Sequence, residues 1–323
     1  MQGPCSLPGW YNPCKKEGEI MKRKYFVFSD VHGQYDALIQ SLMDAGYDIN
    51  NPTHILVSCG DGFDRGNQSD QVYHLLSRRT DNICIKGNHD EMLENAIVKG
   101  GKDTLTLFNC LHNGLDKTIA AFSMHSLSGM VTTDYIDDCI DIIKTRHPKL
   151  LSWIRNMPLY YETDHYVFSH AGVDPDLISW RDTDPDFMLW DIEKSHREIP
   201  RSNKYFIIGH HHAFRVRRTL ESLGAKIRPL PEGITAFGNT DEHAPVRHKN
   251  KIAIDPCSNY TNKVNVLVFE DTDDVHDKPA PEQDTTASTY SCSYTKMGDG
   301  IRAYTTTAGD TYTINIGTFN TWG

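Results

Sequence analysis

The chain has no CxxC pair. Its eight cysteines are scattered along 323 residues, which argues against a secreted disulfide framework or a thiolate zinc knuckle and for a reducing, cytoplasmic setting. It has no apolar run of bilayer-spanning length, and Met1 to Trp10 lacks the basic and apolar parts of a signal peptide. It has no excess of positive charge either. With 33 basic against 43 acidic residues and a net charge of −10, no global field draws it to nucleic acid or to an anionic membrane. The length suffices for one large domain with a substantial core.

What is present is a set of polar residues placed at the ends of apolar runs. Tyr25 to Phe28 is short, aromatic and β-branched, as a buried strand would be, and leads into Ser29-Asp30-Val31-His32-Gly33. Ile55 to Val57 leads into Ser58-Cys59-Gly60-Asp61, and Ile83 to Ile85 into Lys86-Gly87-Asn88-His89-Asp90. Between them, Tyr35, Leu38, Ile39 and Leu42, then Val72, Leu75 and Leu76, have helical spacing. That alternation predicts parallel strands whose carboxyl ends carry the ligands. Asp30, His32, Asp61 and Asn88 offer oxygen and imidazole donors, the mixture suited to a pair of hard divalent cations.

Farther along, 105–122 and 135–153 read as two helices forming an insert beside the site. Tyr160 to His170, Tyr205 to His210, Lys251 to Ile254 and Lys263 to Phe269 read as strands of a second sheet packed on the first. The expected architecture is an α/β fold, a four-layer α/β/β/α sandwich of two mixed sheets with a helical insert. Residues 1–20 carry no periodic pattern and read as a frayed extension, with Met21 as an alternative start. The domain proper is expected over 21–270. The acidic, proline-containing 271–289 reads as a linker. In 290–323, Tyr304 to Thr307 and Tyr312 to Ile316 suggest a hairpin turning at Ala308-Gly309-Asp310.

With His170-Ala171-Gly172 and Gly209-His210 added, the motifs resemble those of the calcineurin-like metallophosphoesterases. Within them the chain is similar to the phosphoprotein phosphatase (PPP) family, in particular its small bacterial and phage members, the lambda-type serine/threonine phosphatase and the symmetrical diadenosine tetraphosphatase. The resemblance covers roughly residues 22 to 270 and implies a binuclear centre. Asp30 and His32 would bind one metal, Asp61 would bridge, and Asn88, His170 and His210 would bind the other. It implies hydrolysis of phosphate monoesters, phosphoserine or phosphothreonine on proteins, by direct attack of a hydroxide bridging two metal ions. Dinucleoside polyphosphates such as diadenosine tetraphosphate are the alternative substrate. His89, oriented by Asp64, would protonate the leaving group, an imidazolium held by a carboxylate being a suitable acid near pH 7. Arg65 would clamp the phosphate bidentately.

Two positions depart from the family pattern. Lys86 stands where an arginine often precedes the GNH motif, keeping the charge without the fork, and is the expected phosphate contact there. Asp191 follows Trp190 where a basic residue is expected, which leaves Arg197 as the candidate second substrate contact. Two divalent ions are the implied cofactor; manganese comes from the resemblance alone, and iron, nickel or zinc would suit the same donors. The expected partners are a phosphorylated protein or nucleotide substrate, with no nucleic acid and no membrane, for a monomer or weak oligomer. A nonhydrolytic metal-binding scaffold is a third reading, but a scaffold has no use for His89 beside Asp64 and Arg65.

Overall fold

The computed structural model describes residues 22–125, 132–272, 293–296, 301–305 and 311–315. Strands and helices alternate at first: β1 (Lys22–Phe28), α1 (Tyr35–Asp44), β2 (His54–Ser58), α2 (Ser69–Ser77), β3 (Ile83–Cys84) and α3 (Asn88–Lys99). A helical block follows, made of α4 (Thr104–His112), α5 (Leu115–Ser123), α6 (Thr133–Arg146) and α7 (Leu150–Arg155). Next come β4 (Tyr160–Glu162), β5 (Tyr166–Ser169), α8 (Pro185–Trp190), β6 (Tyr205–Ile208) and α9 (Ala213–Ser222). The body closes with β7 (Thr235–Phe237), β8 (Val246–His248), β9 (Lys251–Ala253), α10 (Ser258–Thr261) and β10 (Val266–Thr272). The chain divides into two compact units, 1–274 and 275–323.

Two mixed five-stranded sheets form the first unit, ordered β3-β2-β1-β10-β7 and β4-β5-β6-β9-β8. β1 explains the layering. Its alternate side chains Tyr25 and Val27 join Tyr166, Phe168 and Ile207 in the core between the sheets. Phe26 and Phe28 point the other way, into the core formed with Leu38 and Leu42 of α1 and Val72 and Leu76 of α2. Both faces of the strand are therefore buried, which is why its sequence runs apolar without alternation. Each such aromatic contributes roughly 2–3 kcal/mol of burial. On the far side, Val216 and Leu220 of α9 pack on Ile208 and Ala253, completing the α/β/β/α order.

Three sequence expectations change. Lys263 to Phe269 does not join the second sheet: β10 pairs antiparallel with β1, Tyr25 opposite Phe269, on the edge that β2 leaves open. The two long helices are each broken. The first breaks at Gly114, whose φ of +79° suits glycine; a Cβ there would lie 2.5 Å from the Arg65 nitrogen. The second breaks after His147 at Pro148, which has no N–H to continue the ladder. Tyr160 to His170 is a hairpin, β4 antiparallel to β5.

In the second unit, β11 (Ser293–Lys296), β12 (Ile301–Thr305) and β13 (Thr311–Asn315) form a three-stranded antiparallel sheet. Tyr304 lies opposite Tyr312, the pairing expected of the hairpin; its turn at 308–310 lies outside the described residues. So do the expected extension 1–20 and, beyond Thr272, the linker. Among the described residues no helix is long and apolar enough to cross a membrane.

Candidate metal centre

The segments leaving β1, β2, β3, β5 and β6 converge at one end of the two sheets. Asp30, His32, Asp61, Asn88, His89 and His170 are all buried, and His210 is partly so. The backbone is forced to bring them there. Asp30, His32, Asp61, Asp64, Arg65 and His210 all have φ between +47° and +70°, six of the eleven described non-glycine residues with positive φ, so strain is concentrated where the polar groups meet. Close approach of the loops also demands glycine. A Cβ on Gly209 would fall 1.8 Å from Ser29 Oγ, and one on Gly87 would fall 2.2 Å from Asp61 Oδ1.

Asp61 sits at the middle. Its Oδ1 lies 3.3 Å from His170 Nε2, while its Oδ2 lies 3.7 Å from His32 Nε2 and 3.9 Å from His89 Nε2. Two groups of candidate ligands share it: His32, Asp61 and His89 on one side, and Asp61, His170 and His210 on the other. His170 Nδ1 is 2.8 Å from the Cys59 carbonyl and His32 Nδ1 is 2.8 Å from that of Phe63. A carbonyl only accepts, so each Nδ1 carries the proton and each Nε2 presents a lone pair. The His170 lone pair then meets Asn88 Oδ1 at 2.9 Å as well as the Asp61 carboxylate. Three acceptors converging in a dry site call for a cation, and the donor set fits divalent ions.

Electrostatics agree with this. Burial pushes the Asp61 carboxyl up to about 7, against the pull of His89, and holds His32 and His210 well below the ordinary histidine value. For His32 and His210 that direction favours the neutral ring a ligand needs.

Asp30 is placed differently from its expected partners. Its carboxylate accepts from the Ser29 hydroxyl and from the His210 backbone N–H at 3.0 Å, while Ser258 Oγ donates to its carbonyl at 2.6 Å. Its charge still acts on Asp61 and His89. The three consecutive histidines separate: His211 Nδ1 pairs with Ser195 Oγ at 2.7 Å, His212 faces Asp255 at 3.8 Å, and His210 alone joins the cluster.

His89 Nδ1 is 2.7 Å from Asp64 Oδ2. Asp64 is in turn fixed by Thr118 of α5, whose hydroxyl donates to Oδ1 at 2.8 Å and accepts from the Asp64 backbone at 2.7 Å. Arg65 places one guanidinium nitrogen 2.8 Å from His32 Nε2 and another 3.1 Å from His89 Nε2. Its backbone N–H is held by the Gly114 carbonyl at 3.1 Å. Burial and the Arg65 charge push His89 down to about 4, against Asp61 and Asp30, while burial raises Asp64 to about 7.

Lys86 and Arg197 are not brought into the cluster. Lys86 pairs with Glu94 at 3.0 Å, an acid that also takes Arg155. The Arg197 fork is bound by both oxygens of Asp176, at 2.9 and 2.5 Å. Sequence reasoning also missed three supports. Asp90 accepts from the backbone of Asp61 at 3.0 Å and of Gly87 at 2.8 Å, tying two ligand loops together. Asp255 is buried beside Asp30, and burial with that neighbour's charge holds it well above the carboxylate range. Thr118 lies in the insert, whose distance along the chain hid it.

A model of the calcineurin-like phosphoesterase family matches residues 23–227, more than half the chain. The chain belongs to that family. Calcineurin-like phosphoesterases are hydrolases that act with divalent metal ions, and the two groups sharing Asp61 suit such ions. No curated protein matches the chain. Among solved structures it is similar to one described as a diadenosine tetraphosphatase, at 14% identity over 90% of this chain and 93% of that one, TM-score 0.43. It is also similar to a protein serine/threonine phosphatase from Saccharomyces cerevisiae, at 13% identity over 72% and 67%, TM-score 0.40. A cold-active protein-tyrosine phosphatase of a psychrophilic Shewanella species is a third, at 15% over 90% and 80%, TM-score 0.43. At these identities and TM-scores the likenesses carry no argument about substrate.

Proposed function

We infer that this phosphoesterase hydrolyses phosphate monoesters, phosphoserine and phosphothreonine on proteins first, at a binuclear centre bridged by Asp61. The observation that carries the reading is the division of Asp61: each oxygen faces a different histidine whose Nδ1 is fixed by a backbone carbonyl. His32 with Asp30 would hold one divalent cation, and Asn88, His170 and His210 the other. When bound, the cations supply Lewis-acid polarisation of the phosphoryl group and activation of water at neutral pH.

The remaining steps belong to the side chains. Arg65 reaches both His32 and His89 with separate nitrogens, so its fork is aimed where a phosphoryl group would meet it. A phosphate dianion there draws the guanidinium off His89 Nε2 and brings negative charge beside the ring. Both effects raise His89 from its resting value of about 4. His89 then carries the proton on Nε2 toward the leaving oxygen, while Asp64, gripped by Thr118, keeps the ring's orientation.

The rim beside His210 supports a protein substrate. Trp190 stands 6.3 Å from the His210 ring, and it and Ile192, two residues on, are exposed, an apolar border that suits an extended peptide. A second reading, dinucleoside polyphosphate hydrolysis, draws on a ladder of rings. Exposed Tyr260 lies 6.0 Å from His243, which lies 5.1 Å from Phe214, with Arg215 over that ring; such a ladder can support a base. Turnover of a phosphopeptide against diadenosine tetraphosphate by manganese-loaded protein separates the two. Faster cleavage of the dinucleotide sinks the first reading; no cleavage of either or of p-nitrophenyl phosphate leaves the scaffold.

A further inference from the structure

A cleft lies away from the metal centre. It has a volume of about 480 Å³, and an adjoining depression of about 300 Å³ shares Glu198 and Lys249 with it. Both lie at the opposite end of the second sheet, around the turn between β8 and β9 and the segment that enters β6 at Tyr205. The length of β6, on the order of 13 Å by strand rise, stands between this edge and His210.

The cleft is basic on an acidic protein. Arg197, Arg201, Arg228, Arg247 and Lys249 line the two depressions against Asp176 and Glu198, five positive charges less two negative, or +3, on a chain of −10. Their roles differ. Arg197 is neutralised by Asp176 and Lys249 by Glu198 at 2.6 Å. Arg247 is held rigidly, donating to the Pro229 carbonyl at 2.8 Å and lying over the Tyr205 ring at 5.0 Å. Arg201 and Arg228 are exposed and, among the described residues, have no acidic partner. Arg201 and Lys249 add positive φ values of 61° and 53°, the only described non-glycine residues outside the metal-centre, α5-end and α10 segments to do so.

We propose that this cleft is a docking site for a short acidic segment of a protein substrate, held by Arg201 and Arg228 with Arg247 as a fixed third cation. Guanidinium forks match carboxylates two oxygens at a time. The chain's overall negative charge disfavours a long polyanion such as nucleic acid, whereas a local +3 suits a short run of glutamate or aspartate. The proposal rests on the phosphoprotein reading for its purpose: a segment anchored here raises the effective concentration of a phosphorylated residue at the centre. Ten extended residues reach up to about 35 Å, more than twice the length of β6, which leaves slack for a path over the surface of the sheet.

The test uses full-length, manganese-loaded protein and two phosphoserine peptides that differ ten residues from the phosphate, six glutamates in one and six glutamines in the other. The glutamate peptide is expected to show a KM lower by about tenfold at low salt with kcat unchanged, a difference lost at high ionic strength. In the doubly substituted Arg201→Glu, Arg228→Glu protein the difference disappears while p-nitrophenyl phosphate turnover stays at the wild-type rate. Equal KM values in the wild type, or a difference that survives the double substitution, overturn the proposal. Anisotropy of labelled hexaglutamate keeps the site separate from the substrate reading. Should neither peptide be cleaved, binding that the double substitution abolishes still supports the site, and absence of binding refutes it. Arg201→Gln, Arg228→Gln gives the same comparison without charge reversal.

Discussion

The two ends of the second sheet use the same residue types for opposite work. At the carboxyl ends of β5 and β6, His170 and His210 leave the strands into a dry cluster, and His170 is turned by a backbone carbonyl so that its lone pair faces Asp61. At the other end, His248 and His196 line an open cleft among arginines and lysine that answer to carboxylates in water. Arg65 shows the same contrast with Arg201: one reaches two imidazoles from a fixed backbone, the other stands exposed. A side chain's chemistry is set less by its identity than by whether backbone groups fix it out of water.

The comparison breaks first at Asp61. Asp61→Asn is expected to lower metal-dependent hydrolysis of p-nitrophenyl phosphate on the order of 10³-fold or more and to reduce the bound manganese; full metal content with full activity would contradict the bridge. Next comes His89→Ala, expected to lower kcat about 10²- to 10⁴-fold while elemental analysis finds the wild-type metal content. Thr118→Val probes the same pair one step removed. With the Asp64 hydrogen bond gone, kcat is expected to fall about tenfold at nearly constant KM and metal content, and stability to fall by about 1–3 kcal/mol; Thr118→Ser should restore both.

At the opposite edge the expected effects are on stability rather than rate. Lys251 is buried, and burial pushes its ammonium down to about 8 from 10.5. Between those values the unfolded chain holds a proton that the folded one has released, so stability rises with pH from 8 to 10.5; below 8 the burial penalty is fully present. Lys251→Met is therefore expected to gain about 1–3 kcal/mol at pH 7 and less at pH 10, measured by urea unfolding. A gain that is constant with pH would show that the charge is not the cause. The smallest effect is that of Arg201→Glu, Arg228→Glu on a substrate without an acidic segment, which should be none.

How much of this could be read from the sequence follows from how local each feature is. The strands that end at Asp30, Asp61 and Asn88 were legible because runs such as Tyr25 to Phe28 are buried on both faces and end abruptly in polar residues. The helical periodicity of 105–122 was legible too, but its break was not, because Gly114 serves Arg65, nearly fifty residues earlier. β10 was misplaced since a strand's pattern reports burial and not its neighbour. Arg197 and Lys86 were named from charge and position, yet an ion pair with Asp176 or Glu94 is decided by partners that spacing does not reveal. Asp90 and Thr118 escaped for the same reason: each acts on a ligand loop through hydrogen bonds to distant backbone or carboxylate.

The central claim is that Asp61 joins two cations, each with its own histidines. Crystals loaded with manganese and recorded at its absorption edge test it most directly. The account expects two anomalous peaks on either side of the Asp61 carboxylate, about 3.5–4 Å apart, one nearest His32 and the other nearest His170 and His210. A single peak, or two that do not both contact Asp61, would contradict it.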